Sequence, residues 1–139
     1  MPVTEKRVLQ VAVAIACLLP IVVGGQGVLF GPHAFGHPAD VPRDLDSHFR
    51  YISGIFFGTG LGFLSCIPRI EGKGPRFRLL VGLIVAGGLA RGLSLLTVGA
   101  PSTGHLLGLG MELVVVPLLM LWQARIARRY GPPRTAVAR

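Results

Sequence analysis

Four apolar stretches, residues 8–30, 47–67, 77–98 and 105–124, take up most of this chain. At about 1.5 Å per helical residue, each is long enough to cross about 30 Å of hydrocarbon. The fold class predicted is therefore all-α, an integral membrane four-helix bundle in which residues 1–139 form one membrane domain. Composition agrees, with 51% hydrophobic and 14% charged residues.

The formal net charge is +8, yet nucleic acid is not an expected partner, because the basic residues flank the spans without interleaved aromatics. Lys6 and Arg7 precede the first span, Arg69, Lys73, Arg76 and Arg78 lie between the second and third, and Arg125, Arg128, Arg129, Arg134 and Arg139 follow the fourth. Of the 14 Lys and Arg, only Arg43, Arg50 and Arg91 fall elsewhere. The positive-inside rule then puts both termini of a multi-pass chain in the cytoplasm, with loops 31–46 and 99–104 facing outward. The first apolar run is too long for a cleaved signal core, and Ala14-Ile15-Ala16-Cys17 is a poor lipoprotein processing site. Cys17 and Cys66 read as small apolar filler.

The first span contains Pro20 and is expected to loosen at Gly24-Gly25-Gln26-Gly27, leaving Gln26 as its one polar side chain near the outer surface. Loop 31–46 carries Pro32, Pro38 and Pro42, so it is expected to be irregular and to fold back as a lid, or else to serve as a linker. Asp46 or Ser47 is expected to cap the second helix. Asp46 and Arg50 are four apart and share a face with Gly54, Gly58 and Gly62, a small-residue row expected to be buried or to meet a second copy or a membrane-complex partner. Pro68 to Arg76 reads as a turn, and Trp122 with the following Gln and Arg as an interfacial anchor.

Arg91 lies about 21 Å up the third span from Phe77, and Glu112 lies about 10 Å down the fourth from His105, so the two are expected at one depth. Ionisable residues within spans are costly in lipid, by about 2.5 to 3.5 kcal/mol each, and so are normally paired. Arg91 with Glu112 and Arg50 with Asp46 form a self-neutralising set, flanked by Gln26, His48 and His105. Three readings of it stay open. A pocket would bind a small anionic or amphipathic ligand or lipid through Asp46, His48, Arg50, Arg91, Glu112 and Gln26, in a small-molecule-binding protein or accessory subunit. An enzyme would use Glu112 or Asp46 as acid or base on a lipophilic substrate. A structural network would do neither. His33, His37, His48 and His105 all fall outward and with Asp46 could ligate a metal or a haem, but they form no compact ligand motif, so no metal is expected and the residues leave any cofactor open.

Asp46, His48, Arg50, Ile67-Pro68, Arg91, Glu112 and Trp122-Gln123 together give the chain a pattern, over about residues 8 to 127, that resembles a family of small bacterial four-helix membrane proteins known only as a domain of unknown function. The resemblance implies a four-span bundle in a bacterial inner membrane and no known activity. In size and helix count the chain is also similar to DoxX-like membrane proteins, which would imply an accessory role in a redox complex.

Overall fold

The computed structural model describes residues 2–36 and 38–131. Among them the chain is helical without a strand: α1 (Pro2–Phe30), α2 (Arg43–Leu64), α3 (Gly74–Thr97) and α4 (Thr103–Tyr130), with 3-10 turns at Gly31–Phe35 and Ile70–Gly72. Three stretches are long and apolar enough to cross a membrane: Thr4–Phe35, which adds the first 3-10 turn to α1, and helices α3 and α4. Only 6% to 28% of the apolar window in each is buried, so most of this surface is apolar and outward-facing, as in a helix solvated by lipid. The protein is a membrane protein. Helix α2 is about 33 Å long, but Arg43, Asp44, Asp46, His48 and Arg50 crowd its first turns, and it falls outside those three.

Pro42 precedes α2, which starts at Arg43, ahead of the predicted boundary. Asp46 and Ser47 thus lie inside the helix and cap nothing, a correction to the expected start. Asp46 N–H already bonds to the Pro42 carbonyl, and no side chain caps the helix. Asp44 and Asp46 instead place negative charge in the first turn, where the helix dipole favours it.

The described residues pack as two compact units, Gln10–Ile67 on one hand and the first turns of α1 with residues 68–131 on the other. In the Gln10–Ile67 unit, α1 and α2 meet through glycine. A Cβ on Gly24 would stand 2.7 Å from the Phe57 amide nitrogen, and one on Gly27 would overlap the Ser53 hydroxyl. A Cβ on Gly60 would stand 2.8 Å from Ile21 Cγ1. The glycines at 24 to 27 therefore admit the neighbouring helix, and α1 stays helical through Phe30 where loosening was expected. The buried face of α2 is Ser53, Thr59, Gly60 and Phe63. The row Gly54, Gly58, Gly62 is not that face, a second correction: Gly58 is exposed, with no heavy atom within 4 Å of a would-be Cβ. Ser53 and Gly60, seven apart, make an adjacent small-residue stripe, and spacing alone does not choose between the two. Gln10 Nε2 closes the unit on the Ile67 carbonyl at 2.7 Å.

In the other unit, α3 and α4 form an antiparallel seam. On α3, Phe77, Val81, Ile84, Gly88 and Arg91 recur at steps of four and three; on α4, the facing row is Glu112, Val116, Leu119, Gln123 and Ile126. Gln123 is wholly buried and donates to the Ile70 carbonyl at 2.8 Å, pinning the Ile70–Gly72 turn. Its predicted role as part of an interfacial anchor is thereby corrected. Lys6 Nζ bonds Glu71 Oε1 at 2.9 Å, and Glu5 faces Arg125 at 3.5 Å and Arg129 at 3.2 Å. Burial pushes the Glu71 carboxyl up, but the Lys6 hydrogen bond, a backbone bond and the charges of Lys6 and Arg69 outweigh it and hold it below its ordinary 4.5.

Candidate functional site

Arg50 and Asp46 make a two-point pair along α2, Nε to Oδ2 at 2.8 Å and Nη2 to Oδ1 at 3.4 Å. The remaining nitrogen, Nη1, donates to the Val28 and Leu29 carbonyls at 2.8 and 3.0 Å. These are among the last carbonyls of α1, which have no partner further along the helix, so Arg50 caps it. Gly31 follows in the left-handed region (φ 60°), and a Cβ there would stand 2.5 Å from Asp46 Oδ1 and 2.9 Å from Arg50 Nη2. A helix that ends on a left-handed glycine needs that glycine, and here the ion pair also fills the space beside it. Nε and Nη2 of Arg50 are engaged within α2, and Nη1 alone joins α2 to the end of α1. Arg50, a candidate ligand contact, thus spends Nη1 on the end of α1, while the pair stays partly exposed, at 40% for Arg50 and 33% for Asp46.

The second pair lies in the α3–α4 seam. Arg91 Nε bonds Glu112 Oε2 at 3.0 Å and Nη2 bonds Oε1 at 3.1 Å, the fork-to-fork geometry that suits guanidinium and carboxylate. Two local features bring them together. Gly88, one turn before Arg91, has no room for a side chain: a Cβ would stand 2.9 Å from Glu112 Cβ and 2.8 Å from Leu113 Cδ2. Glu112 itself stands in a π turn, Met111–Val115, where the Val116 amide reaches back five residues to Met111. Pro117, next in sequence, has no N–H to give, so the α-helical bond to Leu113 cannot form there. Such single π turns are rare and are often found at functional sites. The turn was not anticipated from sequence, although Pro117 signalled it. The Glu112 side chain is 9% exposed and that of Arg91 33%, so the pair is open on the arginine side.

The two pairings by charge and depth are present as geometry, each in its own unit. A comparison with curated proteins and one with solved structures found no match. A family described as a domain of unknown function (DUF4345) matches residues 8–123, nearly the whole helical part of the chain. The chain belongs to the DUF4345 family.

The flanking polar residues of this DUF4345 chain are less organised. Gln26, His33, His48 and His105 are all exposed, and His37 lies outside the described residues. His48 sits beside the Tyr51 ring, centroids 6.4 Å apart, and His105 Nδ1 meets the Ser102 hydroxyl at 3.0 Å. Among the described residues no three His, Cys, Asp or Glu come together as a metal site. Phe35 of the Gly31–Phe35 turn lies 6.1 Å from the Phe49 ring, so the first part of loop 31–46 is an ordered turn against α2. The residue that sequence reasoning underrated is Gln123. Its place on the Glu112 row, at steps of four and three, was the available signal.

Proposed function

We propose that this DUF4345 protein is a four-pass membrane protein that holds an amphipathic ligand or lipid at the Arg91–Glu112 pair. The observation that carries the reading is the position of that pair: a two-point guanidinium–carboxylate contact on helices with outward apolar surfaces, at a π turn, with the guanidinium partly open. An ionisable pair within a span marks a functional site by default, since packed apolar residues of similar volume would serve stability as well. Of the binding and acid–base readings, binding fits better. Glu112 is the enclosed member of the pair, 9% exposed against 33% for Arg91, so the side that meets a newcomer is the guanidinium and not the carboxylate. The reading includes α2 as a fourth crossing helix, both termini in the cytoplasm of a bacterial inner membrane, and the basic ends of α3 and α4 at the anionic leaflet.

The test is solvent extraction of the protein purified in mild detergent, with mass spectrometry of the extract. One lipophilic species near one molecule per chain is expected, depleted by about tenfold or more in the Arg91→Leu/Glu112→Leu double variant, a free-energy difference of about 1.4 kcal/mol or more. Removing both charges keeps the seam neutral, so that variant remains foldable. Equal content in both proteins overturns the reading.

A further inference from the structure

The charge arithmetic of the Arg91–Glu112 pair selects among ligand classes, granted the reading that this pair is the ligand site. Arg91 uses Nε and Nη2 on the two carboxylate oxygens, so the pair is neutral as a unit and no carboxylate oxygen is left over. Among the described residues Nη1 makes no hydrogen bond. The exposed side of the pair is the arginine side, at 33% against 9% for Glu112. What the pair offers a newcomer is therefore a donor without net charge.

Glycine leaves room to reach it. A Cβ on Gly87, one turn before Arg91, or on Gly92, next to it, would have no heavy atom within 4 Å, and the same holds for Gly104 on α4. A Cβ on Gly108, one turn beyond Gly104, would lie 4.0 Å from Arg91 Cζ. On the Gly108 side of the guanidinium, then, α4 presents backbone rather than a side chain, and a ligand group can come in close.

We propose that this face of α3 and α4 holds the carbonyl oxygen of a neutral lipophilic ester or ketone on Nη1 of Arg91, and that it discriminates against anions. A carbonyl accepts from the guanidinium and leaves the local charge at zero. A carboxylate or phosphate in the same place gives a net negative charge in surroundings of low dielectric, where an uncompensated ion is strongly disfavoured. Arginine alone would have favoured the anion; the second partner, Glu112, reverses that preference.

Dioleoylglycerol, a neutral diester, and oleate, its anionic counterpart of similar apolar length, are the probes. Each is titrated at pH 8 into delipidated protein in detergent, and bound fractions are read by native mass spectrometry. The diester is labelled with ¹³C at its carbonyls, so that infrared spectroscopy also reports hydrogen bonding. The expected result is saturable diester binding at least about tenfold tighter than oleate. A labelled carbonyl band shifted to lower frequency is expected with it, and both effects should be lost in Arg91→Leu/Glu112→Leu. Arg91→Lys, which keeps the charge but not the fork, is expected to fold and to weaken the diester about tenfold. Tighter binding of oleate than of the diester, dependent on Arg91, overturns the proposed class while the binding reading stands. Absence of binding by both probes, or equal binding by the double variant, overturns the proposal and counts against the reading beneath it.

Discussion

Gly88 and Gln123 each occupy a seam position where the residue's usual cost would count against it. Gly88 lets Glu112 reach Arg91, and Gly88→Leu would put atoms where Leu113 and Glu112 already are. Overpacking of this kind costs about 1–3 kcal/mol. The expected outcome is a lower unfolding midpoint in detergent with loss of bound ligand, whereas Gly87→Leu, into open space, should leave the midpoint unchanged. Gln123→Leu keeps the volume but leaves the Ile70 carbonyl without its donor, at a cost of about 1–3 kcal/mol. Chemical unfolding of that variant beside the wild type checks it; an unchanged midpoint would mean that the turn is held by packing alone.

Among the elements, the helix number and the shared depth of Arg91 and Glu112 were legible in the sequence, because apolar length and rise per residue fix them; the turn expected over Pro68 to Arg76 ends sooner, since α3 begins at Gly74 with Pro75 in its first turn. The packing face of α2 was not. Two small-residue stripes lie side by side on that helix, and only contact with α1 distinguishes Gly60, against Ile21, from Gly58, in the open. Gly60→Ile is accordingly expected to unfold the protein, whereas Gly58→Ile should melt within about 0.5 kcal/mol of wild type. A large loss at Gly58 would show that a second copy or another partner covers it. The start of α2 was also hidden, since Pro42 at the N-cap position moved it ahead of the polar residues that looked like caps. The π turn of α4 lies just before Pro117, which withholds the next α-helical N–H, and the Val116 amide bonds the Met111 carbonyl instead of the one four residues back. Pro117→Ala restores an N–H there. It should tighten the turn to an α-helix, turn Glu112 away from Arg91 and reduce ligand content without unfolding α4, as circular dichroism and extraction can show together.

For the whole molecule, the basic residues that set the predicted topology are partly tied down by acids: Glu5 by Arg125 and Arg129, Glu71 by Lys6. Because the Glu71 carboxyl is held below 4.5 in the folded protein, its contribution to stability is present above that pH and is lost as pH falls through the lowered value. The unfolding midpoint should therefore drop on acidification below about pH 4.5, and part of that drop should vanish in Glu71→Gln. The candidate site was legible as a pairing and not as a pocket. Residue type and depth predicted Arg91 with Glu112, but the same logic gave Arg50 equal standing, and only the hydrogen bonds to Val28 and Leu29 show that Arg50 serves as a helix cap. Whether Arg91 and Glu112 hold a ligand is decided by native mass spectrometry of the intact protein from mild detergent, compared with its denatured mass. A discrete extra mass is expected on the wild type, released on denaturation and absent from folded Arg91→Leu/Glu112→Leu; the same extra mass on that double variant would contradict ligand binding at this pair.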